Sequence, residues 1–229
     1  MLLGSGVNAN VTLKGTYGRD SGWIVITAGW GLAVFSGVVV AGSFSGAHLN
    51  PAVSLGLAAA GKFDWSQVPS YILAQLIGAA MGTFLAWFMY KDHFDQEEEP
   101  GKKLGVFSTG PAIANRLTNF SSEMIGTFML VFVVLFISQG SLGDANETPI
   151  GLGSLGALPV ALLVWVIGMG LGGTTGYAIN PARDLMPRIL HSILPIKGKG
   201  GSNWGYAWIP VVAPIVGGML AGGLYLLLM

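Results

Sequence analysis

Gly46-Ala47-His48-Leu49-Asn50-Pro51-Ala52 and Gly176-Tyr177-Ala178-Ile179-Asn180-Pro181-Ala182 share the pattern Gly-x-x-x-Asn-Pro-Ala, each lying between long apolar segments. With residue types at a few per cent each, two Asn-Pro-Ala triplets arise by chance in about one chain of this length in a thousand. The chain therefore reads as two related halves produced by duplication. Asn followed by Pro is also a helix start. The Asn side chain accepts from free amides of the first turn, and Pro at the first helical position has no amide to leave unpaired. Each triplet opens a short apolar helix, from Asn50 to about Ala60 and from Asn180 to about Leu194.

The sequence around these stretches is that of a bilayer protein. Of 229 residues, 52% are hydrophobic and only 10% charged, against the ~25% charged residues of ordinary soluble domains. The 11 basic and 11 acidic residues cancel, so no long-range field points to nucleic acid or an acidic substrate. Without cysteine there is neither a disulfide framework nor a thiolate site. The 36 glycines lie mostly inside apolar runs, where small residues let membrane helices pack closely. Met1-Leu2-Leu3-Gly4 shows no cleavable leader, having neither a basic start nor a full apolar core.

Five stretches meet or nearly meet the ~20 apolar residues a spanning helix needs: Trp23 to Gly42, Val68 to Tyr90, Phe120 to Gln139, Leu155 to Leu171 and Tyr206 to Leu228. Met1 to about Ala9 is apolar but too short to cross, and reads as the tail of a helix. The two triplet helices are also too short. Such half-helices, with irregular backbone ahead of them, are tolerated in a membrane only where protein buries them or a water-filled cavity is lined. Three spans separate the triplets, and an odd number puts the half-helices on opposite faces, so that they meet near the midplane as inverted repeats. The expected organisation is a first repeat over about 1–90, a connecting loop over about 91–117 and a second repeat over about 118–229. The run Glu97-Glu98-Glu99 in that connection reads as a solvated loop rather than a cation site.

Ser45-Gly46-Ala47-His48-Leu49-Asn50-Pro51-Ala52-Val53 and Gly176-Tyr177-Ala178-Ile179-Asn180-Pro181-Ala182-Arg183-Asp184 resemble the paired motifs of the major intrinsic proteins, the aquaporin and aquaglyceroporin family. The resemblance covers essentially the whole chain. It implies an all-α inverted-repeat bundle of six transmembrane helices, the first truncated here, with two re-entrant half-helices around one pore per subunit. It further implies a homotetramer in the cell membrane, with no cofactor and no metal. Arg183 matches the family's pore arginine. Counting from the triplets, Trp30, Gly168 and Tyr177 match the rest of the constriction, and Trp with Gly is the arrangement of the aquaglyceroporin branch.

By the same resemblance, carbonyls of Gly46, Ala47, His48, Gly176, Tyr177 and Ala178 line the pore. Glu123 accepts from loop amides, and Gln75 and Asp184 support the loops. Arg188 and Pro210 are weaker marks of the same branch, and Pro210 equally reads as an ordinary kink in a membrane helix. Tyr177 stands where Phe is more usual, which leaves the ranking of solutes open. The alternative pairing of Arg183 with Asp184 at a helix end also stays open at this point.

The function implied is passive, single-file permeation of glycerol and other small neutral solutes with water. An acceptor ladder replaces lost hydration, and the half-helix dipoles and Arg183 exclude protons and ions. A water-selective channel is the alternative, and a non-conducting structural protein the third reading. Ion coupling lacks the carboxylate pairs it requires, and no nucleophile, base and oxyanion set suggests an enzyme. One feature runs against the implied topology: Lys14, Arg19, Lys102, Lys103, Lys197 and Lys199 fall outside and little but Lys62 inside, contrary to the positive-inside tendency.

Overall fold

The computed structural model describes residues 1–138, 140–143 and 150–229. Five helices in it are long and apolar enough to cross a membrane. They are α2 (Trp23–Ser45), α4 (Val68–Met89), α7 (Arg116–Phe136), α8 (Leu158–Leu171, with a 3-10 turn leading into it) and α10 (Ile209–Leu228). Their outer faces expose large apolar side chains such as Leu32, Val40, Leu73, Phe88, Leu162 and Leu227, the surface a helix presents to hydrocarbon. The α7 span starts earlier than the hydropathy pattern suggests, because Asn115 caps it through Leu117 N–H and Thr118 N–H. The expected end at Gln139 lies outside the described residues.

A sixth helix, α1 (Leu2–Thr12), has 11 residues and packs between α2 and α4. At 1.5 Å rise per residue it reaches only about half-way through a hydrocarbon core. The half-helices are α3 (Pro51–Ala59) and α9 (Pro181–Ile193). Both begin at the proline, with the Asn side chain as cap: Asn50 Oδ1 accepts from Ala52 N–H, and Asn180 Oδ1 from Ala182 N–H and Arg183 N–H.

Glycines seat α3 in the bundle. A Cβ at Gly218 of α10 would lie 2.5 Å from the Ala52 carbonyl oxygen, and one at Gly56 of α3 would lie 2.8 Å from the Gly218 carbonyl oxygen. Only a bare Cα permits that approach of backbone to backbone.

The connection over 91–117 carries helical structure of its own. It contains α5 (Lys91–Gln96) and α6 (Pro100–Phe107), and buries Phe94, Val106 and Phe107 against Leu13, Leu194 and Ile196. Glu97 corrects the reading of the acid run. It is buried at 2% exposure, and its carboxylate accepts from Lys14, Glu98 and Glu99 backbone N–H groups. Glu98 and Glu99 behave as expected and pair at the surface with Lys14 and Lys102.

The basic residues around this connection are likewise engaged locally. Lys103 Nζ donates to the Lys197 carbonyl, and Lys199 Nζ to those of Ser192 and Leu194 at the end of α9.

Candidate functional site: a lumen between two half-helices

The two Asn-Pro-Ala loops meet and bond to each other. Asn50 Nδ2 donates to the Ile179 carbonyl at 2.7 Å, and Asn180 Nδ2 to the Leu49 carbonyl at 2.9 Å. Each amide nitrogen carries two protons, so this crossing uses one and leaves the other for a passing oxygen. The loop backbones are bent to make the crossing. Ala47, Leu49, Tyr177 and Ile179 have φ of 50°, 54°, 40° and 42°, a region costing about 1–2 kcal/mol per residue for anything but Gly.

The second loop is held in that shape by Glu123. Its Oε1 accepts from Ala178 N–H at 2.9 Å and its Oε2 from Ile179 N–H at 2.8 Å, wholly out of solvent. In the first loop the corresponding support is neutral. Gln75 Nε2 donates to Ser54 Oγ at 3.0 Å, and His48 Nδ1 lies 3.0 Å from the same oxygen.

A cavity of about 170 Å³ runs past the crossing. Gly46, Ala47, His48, Tyr177 and Ala178 line it together with Asn50 and Asn180, opposite an apolar wall that includes Val34, Val53, Leu130 and Val164. Gly176 lies in a further space of about 210 Å³ on the Arg183 side. Arg183, Trp30 and Tyr177 line both spaces. A larger space of about 650 Å³, between α2 and α4 beside Met1, shares Trp30, His48, Leu49, Asn180 and Arg183 with the lumen.

Of the constriction residues matched from sequence, three come together through side chains and one through lack of one. The Arg183 guanidinium lies 4.2 Å from the Trp30 ring and donates from Nη1 to the Phe107 carbonyl. Its neighbour Asp184 does not pair with it. That carboxylate bonds Arg188 through Oδ1 and Thr109 N–H and Oγ1 through Oδ2. Arg188 in turn donates to the carbonyls of Ser202 and Thr109. The positive charge beside Trp30 is therefore left for the lumen.

Gly168 makes room for the Tyr177 ring, since a Cβ there would lie 2.7 Å from Tyr177 Cζ. Trp23 completes the packing, meeting Tyr177 edge-on at 5.7 Å and donating from Nε1 to the Gly168 carbonyl.

Sequence reading missed Asn8, Trp23, Phe107 and Thr109. Phe107 acts through its main-chain carbonyl, which no side-chain pattern advertises. Thr109 and Asn8 belong to segments distant in sequence from both triplets. Trp23 opens the first span and resembles an ordinary interfacial Trp.

The geometry can be set beside known proteins. The chain is 50% identical over 225 residues to the probable glycerol uptake facilitator protein of Thermotoga maritima, covering 98% of this chain and 92% of the relative. It is 51% identical over 225 residues to the glycerol uptake facilitator protein of Bacillus subtilis, covering 98% and 79%. Among solved structures it resembles the aquaglyceroporin from Plasmodium falciparum, with a TM-score of 0.79 and 34% identity, covering 98% of this chain and 89% of that one. The family model for the major intrinsic proteins matches residues 1–225. With spans, crossed half-helices and lumen all accounted for, this chain belongs to the major intrinsic protein family.

Proposed function

We propose that this protein is a passive channel for glycerol and other small neutral solutes, conducting water as well and excluding ions and protons. The observation that carries the reading is the constriction: a guanidinium with no carboxylate paired to it among the described residues, beside an indole face, with Tyr177 closing the third side against Gly168. A polyol is amphipathic in the same way. Its hydroxyls accept from Arg183 while its CH groups lie along the aromatic faces. Past that point the solute exchanges hydration for loop carbonyls on one wall and an apolar surface on the other. At the crossing it meets the free protons of Asn50 and Asn180. Both half-helix N-termini point their positive ends to this place, and cations gain nothing there that offsets lost water.

The names of the relatives support glycerol as the solute. The duplication supports an inverted-repeat unit of about 1–90 and 118–229 joined by the connection. Four such units in the cell membrane, working without cofactor or covalent step, is the assembly the family resemblance supports. A water-selective channel is the second reading, because the Tyr177 ring takes up the room that Gly168 leaves.

Stopped-flow light scattering on proteoliposomes separates the two. Glycerol-driven reswelling well above that of empty vesicles is expected. Fast osmotic shrinkage without glycerol influx identifies the water channel, and neither response rules out both.

A further inference from the structure

We infer that Asn8 is a specificity-determining positioning residue, whose side-chain amide fixes the Trp30 indole beside Arg183 and so sets how well the constriction takes a polyol relative to water. The inference rests on the channel reading. Its starting point is one buried hydrogen bond: Trp30 Nε1 donates to Asn8 Oδ1 at 3.0 Å. Asn8 is 6% exposed and Trp30 8%. The same amide donates from Nδ2 to the Gly105 carbonyl of α6 at 3.1 Å. Both ends of the Asn8 side chain are therefore committed, and its rotamer is fixed by two different elements.

A second observation comes from the residue one turn earlier on the same face of α1. Gly4 lies against the six-membered ring of Trp30, and a Cβ there would collide with it. Gly4 and Asn8 thus form a socket, bare where the ring rests and hooked where the N–H points. The indole meets Arg183 at 4.2 Å, so the angle set by the socket is the angle at which the aromatic wall faces the guanidinium.

The hook has a chemical consequence. An indole has a single polar proton and accepts nothing through its nitrogen. With that proton held by Asn8, Trp30 presents an apolar face to the lumen beside the Arg183 guanidinium. Without Asn8 the proton is free to bind water in the lumen, and the ring is free to turn. A wall wetted in this way favours water over the CH groups of a polyol.

The test compares glycerol and water permeabilities, measured on the same proteoliposomes, for the wild type, Asn8→Ala, Trp30→Phe and the double variant. Asn8→Ala is expected to lower the glycerol-to-water ratio by about threefold to tenfold, the weight of one net hydrogen bond. In the Trp30→Phe background, which has no indole proton to hold, Asn8→Ala is expected to change the ratio no further.

An unchanged ratio in Asn8→Ala overturns the inference. So does a double variant whose loss is the product of the two single losses, which would place the effect in the anchoring of Gly105. Asn8→Leu keeps the volume without the amide and must reproduce the fall if Asn8→Ala reaches the vesicles poorly. A wild type that passes no glycerol fails the channel reading instead, and the two failures are told apart by that arm.

Discussion

The two half-helices start alike and are built of different material. Each opens with Asn-Pro-Ala, caps itself with the Asn oxygen and reaches across with the Asn nitrogen. Beyond that start, α3 is nine residues without a charge, whereas α9 is 13 residues carrying Arg183, Asp184, Arg188 and His191, all buried. The loop ahead of α3 leans on neutral groups, Gln75, Ser54 and His48. The loop ahead of α9 hangs on the carboxylate of Glu123. On the proposed reading, the shared start supplies the crossing, which needs two equivalent partners, and the differences beyond it supply the selectivity, which needs a charge at one end only. The buried charges of α9 are met by groups of the connection, the Phe107 carbonyl for Arg183 and Thr109 for Asp184 and Arg188.

The largest expected effect breaks the second loop. Glu123→Leu leaves Ala178 N–H and Ile179 N–H buried without acceptors beside two residues held at positive φ. An orphaned buried donor costs about 1–3 kcal/mol, and the charged acceptor adds to each bond, so a loss of about 3–5 kcal/mol is expected. Thermal unfolding in detergent, followed by loss of monodisperse protein, measures it. A shift no larger than that of a surface substitution would show that the loop holds its shape without the carboxylate.

Next comes the charge itself. Arg183→Ala removes the guanidinium from the lumen without touching the pairing of Asp184 and Arg188. Proton leak through proteoliposomes, read with an entrapped pH dye, is expected to rise about tenfold or more, with water flux still measurable. Unchanged leakage would move the exclusion to the Asn crossing, and the two halves would then share the work equally.

How much of this was legible in the sequence depends on how each contact is made. Spans and half-helices were readable because burial in lipid demands unbroken apolar runs, and because Asn before Pro signals a helix start through local chemistry. Trp30, Gly168, Tyr177 and Arg183 were readable only by their offsets from the triplets. The connection was misread at Glu97, because its three donors are main-chain amides, one of them from Lys14, 83 positions away. A run of three acids carries no mark of which member turns inward. Asn8 stayed hidden for the same reason, since nothing near it in sequence indicates an indole proton or the Gly105 carbonyl.

Glu97 ties the α1–α2 loop of the first half to the connection and so tests how far the halves are joined. Burial pulls its carboxyl upward, but the backbone amides of Glu99, Glu98 and Lys14 together with the Lys102 charge outweigh that and hold it below the ordinary carboxylate range. A carboxyl lowered on folding contributes stability that is present above its unfolded value and lost as pH falls through its folded one. Glu97→Gln is therefore expected to cost about 1–2 kcal/mol at neutral pH. The cost should shrink as pH falls through the lowered folded value of Glu97, below which both proteins carry a neutral group. Unfolding of the two proteins across pH measures it, and a difference that stays constant with pH would deny the carboxylate its role.

The smallest effect belongs to Gln75 of α4, which supports the first loop. Gln75 donates to Ser54 Oγ, yet its own Oε1 is buried and finds no partner among the described residues. Gln75→Leu removes one good hydrogen bond and one unsatisfied oxygen together, and such paired losses are close to neutral. Ser54 keeps its bond to the Asn50 carbonyl and its contact with His48, so the loop ahead of α3 retains its anchor. A cost under about 1 kcal/mol is expected, with the glycerol-to-water ratio unaltered. Measured beside Glu123→Leu, it isolates what the carboxylate adds. The first loop presents side-chain hydroxyl and amide groups that exchange partners cheaply. The second buries main-chain amides that, among the described residues, bond Glu123, and there the loss cannot be spread. If Gln75→Leu cost as much as Glu123→Leu, the first half would be as tightly strung as the second, and the division between a symmetric crossing and a one-sided filter would fail.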